Sequence, residues 1–217
     1  VDSYGKADLN LLEKSITDKT ILISIMAANN EIGTIADIEK IGKIAKDHEV
    51  FFHSDAAQAA GHIPLDVKKM NIDLMSLSAH KIYGPKGIGA VYIRNVNPLI
   101  KPAPLIYGGG HERNLRSGTL NVPAIVGFGK ALKIAEKEME KENSQFRKWT
   151  KKMLNSFIED LQDVELNGHP TDRLAHNLNI YIKGVENKAL IHSLRNDLAF
   201  SAGSACTTSK VEPSHVL

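Results

Sequence analysis

A chain of 217 residues with 42% apolar and 24% charged side chains has the make-up of an ordinary globular protein, long enough for one large domain or for one domain and part of another. Its net charge of +2 gives no case for nucleic acid or a membrane surface, and no apolar run approaches the roughly 20 residues of a membrane helix. The single cysteine excludes an internal disulfide framework and paired-cysteine metal sites, and it fits a reducing compartment.

The chain opens at Val1 in a polar stretch, and it stops straight after Glu212-Pro213-Ser214-His215-Val216 with no closing element. This reads as an internal piece of a longer protein. Thr20-Ile21-Leu22-Ile23-Ser24-Ile25-Met26 is a continuous apolar run, as expected of a strand buried on both faces. Ile35, Ile38, Ile41, Ile44 and Ala45 recur at helical spacing and predict a helix over 35–47. Val50-Phe51-Phe52-His53 is a second strand, 74–78 a third, and Ala90-Val91-Tyr92-Ile93 a fourth. Strands alternating with helices imply an α/β sheet, whose ligands sit at the carboxyl ends of the strands. Asn30, Asp55 and the run from Ser78 to Lys81 each follow such a strand.

The segment 108–119 is a loop by composition. Its clustered glycines leave N–H groups free to approach an anion, with Arg116 and Thr119 to help. A plain surface loop fits the same composition. From 122 to about 161 the pattern is helical and highly charged, with Leu132, Ala135, Met139, Phe146, Trp149, Met153 and Phe157 roughly on one face. A helix that long suits a bridge between two domains, placed here at 1–139 and 140–217. Beyond it come strand-like runs at 164–166 and 178–182, a helix near 187–195, and a further short run, Leu198-Ala199-Phe200. That is an α+β pattern. Cys206 sits among small and hydroxyl residues, Ser201-Ala202-Gly203-Ser204-Ala205-Cys206-Thr207-Thr208-Ser209-Lys210. These predict an accessible loop, where a thiolate could act as a nucleophile. The residues alone leave a structural cysteine equally open.

The most informative stretch is Ser78-Ala79-His80-Lys81-Ile82-Tyr83-Gly84-Pro85-Lys86-Gly87. A lysine follows a buried strand, and His53-Ser54-Asp55-Ala56-Ala57-Gln58 places an acid at the preceding strand end. Pyridoxal phosphate (PLP) needs that pair: the amine forms the Schiff base, and the acid keeps the pyridine nitrogen protonated. A lone lysine beside a turn would be a surface residue. Asp55, Gln58, Ser78 and His80 together argue against that here.

These segments, with Asn29-Asn30-Glu31-Ile32-Gly33, the 108–119 loop and Gly203-Ser204-Ala205-Cys206 followed by Glu212-Pro213-Ser214, resemble the PLP-dependent cysteine desulfurases of the class V aminotransferase group, in the family's order. The length of the cysteine loop resembles that of the long-loop subgroup. The resemblance implies a PLP fold-type I large domain with a mixed, mostly parallel sheet, plus part of a smaller α+β domain. It implies that Lys81 holds PLP and then serves as acid and base, and that Asp55 faces the ring nitrogen. Gln58 and Asn30 would bond the phenolic oxygen or the substrate edge, and Ser78 and His80 the phosphate, with His80 counted among the catalytic residues. Thr119 would reach the cofactor of the other subunit in a homodimer. Cys206 would take sulfur from L-cysteine as a persulfide, release L-alanine, and pass the sulfur to an acceptor protein for iron–sulfur cluster assembly or tRNA thiolation in the cytoplasm. A selenocysteine lyase, another fold-type I PLP enzyme or a non-catalytic fragment are the alternatives. The family's N-terminal phosphate-binding turn, its ring-stacking His and its carboxylate-binding Arg would lie outside this chain, and Ala79 stands where a Gly is often seen.

Overall fold

The computed structural model describes residues 1–96, 99–203, 214 and 216–217. The chain divides into two compact units. One comprises Leu9–Ala27 and Ile38–Met139, and the other Val1–Asp8, Ala28–Asp37 and Glu140–Leu217.

The first unit is built on a four-stranded sheet, β1 (Leu22–Met26), β2 (Phe51–Asp55), β3 (Leu74–Ser78) and β4 (Gly89–Ile93), in that spatial order. The first three strands run parallel, with Met26 level with Asp55 and Asp55 level with Ser76. The return from β3 to β4 is antiparallel and places Ser78 opposite Gly89. Side chains alternate across a strand. In β2 this buries Phe52 and Ser54 on one face and turns His53 and Asp55 to the other. Helix α2 (Ile38–Asp47) crosses between β1 and β2 and buries Ile38, Ile41, Gly42 and Ala45. Position 42 must be glycine, because a Cβ there would lie 1.9 Å from the Met70 carbonyl oxygen. Asp73 is buried, accepts the Phe52 N–H at 2.9 Å and pairs with Arg94 just beyond β4, which compensates its charge. The start of α3 (Val122–Asp160) covers the turn after β3: Phe128 and Ala131 pack on Ala79 and Ile82. Burial of Phe128 alone is worth roughly 2 kcal/mol.

In the second unit β5 (Val164–Leu166) and β6 (Ile180–Ile182) pair antiparallel. Helix α4 (Asn187–Leu194) is capped by Glu186, whose carboxylate accepts the N–H groups of Lys188 and Ala189 at 3.0 and 2.6 Å. On the later turns of α3, Phe146 meets Trp149 and His176 edge-on.

Four elements depart from the sequence reading. The apolar run expected to be a strand buried on both faces forms β1 with only Ile23 buried, while Leu22 and Met26 are exposed. A short helix, α1 (Leu9–Ser15), lies within the polar opening and buries nothing. The helix expected from Ile35 begins at Ile38, because the Ile35 N–H is taken by the Asp172 carbonyl at 2.9 Å and Ile35 bridges Ala28. Leu198–Phe200 forms no regular element. Trp149 and Met153, whose spacing suggests a buried stripe, are 54% and 45% exposed. Among the described residues no helix is long and apolar enough to cross a membrane.

Candidate active site

The carboxyl ends of β2 and β3 carry most of the polar residues singled out by the sequence. Asp55 closes β2 and is exposed. Its carbonyl accepts the Ala27 N–H at 2.8 Å, while its carboxylate accepts the Ala57 N–H at 2.9 Å. The second bond starts a compact turn. Ala56 donates to the Ser76 carbonyl, and Ala59 and Ala60 donate back to Ala56. Ala56, Ala59 and Ala60 are buried and leave Gln58 half-buried between them. Small residues here let the turn press against the strand ends.

Ser78 ends β3 in extended conformation and opens a 3₁₀ turn, Ala79–Ile82. Ala79 and Ile82 are pinned in the core under α3, so His80 and Lys81 face outward, His80 exposed and Lys81 half-buried. The Ser78 hydroxyl lies 2.9 Å from His80 Nδ1. The turn is closed by Tyr83 in left-handed conformation (φ 61°) and by the Gly84 N–H donating to the Ala79 carbonyl at 2.9 Å. The Lys81 carbonyl lies 3.4 Å from His62 Nε2. Lys81 is thereby held at its backbone while its amine is left to act.

Asp55, Gln58, Ser78, His80 and Lys81 thus belong to one unit and to two adjacent strand ends. Thr119 is in the same unit, exposed, in a loop organised by its own contacts: Ser117 N–H to the Ile106 carbonyl, Gly110 N–H to Ser117 Oγ and Gly118 N–H to His111 Nδ1. Among the described residues no hydrogen bond joins Thr119 to the strand-end group. Asn30 belongs to the other unit, exposed at the tip of a tight turn. Cys206 lies outside the described residues.

Several residues escaped the sequence reading. His53 accepts or donates on both ring nitrogens, to Ser24 Oγ at 2.7 Å through Nδ1 and to Ser76 Oγ at 2.8 Å through Nε2. It ties β1, β2 and β3 together on the face that ends in Asp55. The period of two that places His53 with Asp55 was the available signal. In the other unit, Arg173 donates to the carbonyls of Asn167, Asn177 and Ile32 at 3.1, 3.3 and 3.2 Å, and to Asn177 Oδ1 at 3.0 Å. Burial away from water holds its guanidinium below the ordinary arginine value. No local pattern announces an arginine whose partners are backbone carbonyls.

An amine, a carboxylate, an amide, a hydroxyl and an imidazole at the carboxyl ends of an open sheet make a donor set that fits PLP. Together with the mixed sheet they define a fold-type I PLP architecture. The chain belongs to the aminotransferase class-V family, which it matches over residues 1–217; that family is PLP-dependent. It is 53% identical over 217 residues to "Cysteine desulfurase IscS" of Ehrlichia chaffeensis, covering all of this chain and 53% of the relative. The protein of the same name from Rickettsia prowazekii is 50% identical over 217 residues, with 52% of its length covered. Among solved structures, a "NIFS-LIKE PROTEIN" superposes with a TM-score of 0.84 at 39% identity, over 90% of this chain and 53% of that one. A NifS-like protein from Rickettsia africae gives 0.85 at 33% identity, over 94% of this chain and 57% of that one. The chain spans about half the length of the curated relatives it matches.

Proposed function

We propose that the protein containing this chain is a PLP-dependent cysteine desulfurase, and that this chain supplies the PLP lysine and the persulfide-forming cysteine. The observation that carries the reading is the 53% identity to a cysteine desulfurase along all 217 residues. A further relative in structure is titled "SspA in complex with cysteine" and is 35% identical, which supports cysteine as the substrate class.

PLP, when bound, supplies an electron sink that labilises bonds at the substrate's carbon atoms. Lys81 holds the cofactor through its amine and moves a proton once released. Asp55 forms a charge-assisted hydrogen bond to the ring nitrogen and keeps it protonated. Gln58 and Asn30 bond the phenolic edge, Ser78 and His80 receive the phosphate, and Thr119 serves the cofactor of a second copy in a homodimer. Cys206 accepts the substrate sulfur. In the net reaction its S–H is exchanged for an S–S bond, the C–S bond of L-cysteine breaks, and the carbon keeps the electron pair and gains a proton to give L-alanine. The thiol sulfur is oxidised and the carbon reduced, so no outside oxidant enters. The persulfide then passes to an acceptor protein in the cytoplasm, for iron–sulfur cluster assembly or tRNA thiolation. Residues 1–139 form part of the large PLP-binding domain and 140–217 part of the small domain that carries Cys206.

The test uses the full-length protein with L-cysteine. Wild type should release alanine and gain one sulfur on the Cys206 peptide, and Cys206→Ser should bind PLP yet do neither. Alanine release at the wild-type rate by Cys206→Ser would overturn the assignment. Faster turnover of selenocysteine than of cysteine would move the reading to a selenocysteine lyase.

A further inference from the structure

His53 is half-buried in the middle of β2, two residues before Asp55, and its ring is held at both ends. Nδ1 lies 2.7 Å from Ser24 Oγ on β1, and Nε2 lies 2.8 Å from Ser76 Oγ on β3. A hydroxyl can donate or accept, so both bonds persist in either tautomer of the ring. Ser24 is level with His53 and Ser76 is level with Asp55, so on these parallel strands all four side chains stand on one face. Among the described residues no carboxylate pairs with His53; its two partners are neutral hydroxyls on neighbouring strands.

Ser76 grips β2 twice, once on each side of Asp55. Its side chain holds His53, and its carbonyl accepts the Ala56 N–H at 3.0 Å. The Asp55 carbonyl accepts the Ala27 N–H at 2.8 Å, and one carboxylate oxygen, Oδ1, accepts the Ala57 N–H at 2.9 Å. Among the described residues the other oxygen, Oδ2, accepts no hydrogen bond. The clamp fixes where Asp55 stands without engaging both of its acceptor oxygens. An apolar side chain at position 53 would pack on the strand but could not hold Ser76.

We propose that His53 is a positioning residue for the cofactor: through Ser76 it fixes the end of β2, and so sets where the Asp55 carboxylate meets the ring nitrogen of PLP. The proposal rests on the PLP reading for the partner of Asp55, and on the Ser24–His53–Ser76 bonds for the device. A misplacement of about 1 Å at a preorganised group can cost on the order of 100-fold, so a residue that never touches the cofactor can govern it.

The full-length protein, freed of cofactor and titrated with PLP, is compared with His53→Ala, Ser76→Ala, Ser24→Ala, Asp55→Asn and the His53→Ala/Asp55→Asn double variant. Two quantities are read without L-cysteine: the Kd for PLP, and the visible absorbance of the bound cofactor. Loss of the clamp should weaken PLP binding about tenfold in His53→Ala and in Ser76→Ala, and should move the absorbance toward that of Asp55→Asn. Ser24 bonds the far side of the ring from Ser76, so Ser24→Ala should stay within about threefold of wild type. Adding His53→Ala to Asp55→Asn should change the Kd less than about twofold, because a residue that acts through Asp55 has no further effect once the charge is gone. A purely structural His53 would make the two serine variants equivalent, or would leave its effect intact in the double variant; either result overturns the proposal. If His53→Ala fails to fold, the two serine variants decide. If the wild-type protein bound PLP but made no alanine from cysteine, the desulfurase reading would fall, while the Kd values would still judge the clamp.

Discussion

At the scale of single residues, Lys81 and Asp55 gain their meaning from how little freedom their backbones have. Ala79 and Ile82 lock the turn on either side of His80 and Lys81, and the exposed Lys86 has no comparable hold. In the full-length protein, borohydride reduction should fix PLP on the Lys81 peptide, and Lys81→Ala should leave no covalent cofactor. An adduct on the Lys86 peptide is the result that contradicts this. In the proposed site Asp55 would have two tasks that separate cleanly. Its carboxylate caps Ala57, a bond that asparagine can also make through its side-chain oxygen, whereas the negative charge is needed only by a cationic partner. Asp55→Asn should therefore fold like wild type but lower kcat by roughly 100-fold, the size seen when one preorganised electrostatic contact is lost. A matching fall in the unfolding midpoint would show a structural role instead. Both residues were legible in the sequence because Asp55 closes β2 and Lys81 follows β3 in the turn that Ser78 opens. Arg173 was not, because its Ile32 partner lies far along the chain and only the folded chain brings the two together.

At the scale of elements, the strands were legible wherever an apolar run met a turn signal, and their limits moved by only a residue or two. The run 74–78 coincides with β3, and the helical charge pattern from 122 coincides with α3. The start of α2 was misplaced because helical spacing does not reveal that the Ile35 N–H has a partner in Asp172. The Ser24–His53–Ser76 row was hidden inside runs that read as apolar. It has a testable consequence: one imidazole satisfies two hydroxyls on neighbouring strands. His53→Ala should destabilise the full-length protein by about 1–2 kcal/mol in urea, the cost of two lost hydrogen bonds on a partly open face. His53→Gln, which can reach one serine, should recover part of it. Arg173 should matter more. It is half-buried and donates to several backbone carbonyls, so Arg173→Met should cost about 3 kcal/mol. An effect under about 1 kcal/mol would mean that those carbonyls find other donors.

At the scale of the whole molecule, one compact unit is assembled from three separate stretches, Val1–Asp8, Ala28–Asp37 and Glu140–Leu217. Composition does not shift at their borders, so no reading of local pattern joins them. Polar contacts do the joining. Thr34 Oγ1 donates to the Tyr4 carbonyl at 2.7 Å and accepts the His169 N–H at 2.9 Å, which links all three stretches through one hydroxyl. Lys6 repeats the arrangement with a charge, its ammonium meeting Asp37 at 3.2 Å and Asp172 at 2.7 Å. Burial pulls the Lys6 ammonium down, but the bonds to Asp172 and Asp37 outweigh it and hold the group above its ordinary value of 10.5. The unfolded chain then gives up this proton before the folded one does as pH rises. The stabilisation is fully present below about pH 10.5 and is lost as pH climbs through the higher folded value. Both partners are partly open to water, so screening reduces the contribution to about 1 kcal/mol. Urea unfolding of the full-length protein at about pH 8 should show Lys6→Met less stable than wild type by that amount, and the gap should close as pH is raised through the higher folded value. A gap that stayed constant across this range would mean that Lys6 holds the three stretches by the packing of its alkyl chain, since packing carries no proton.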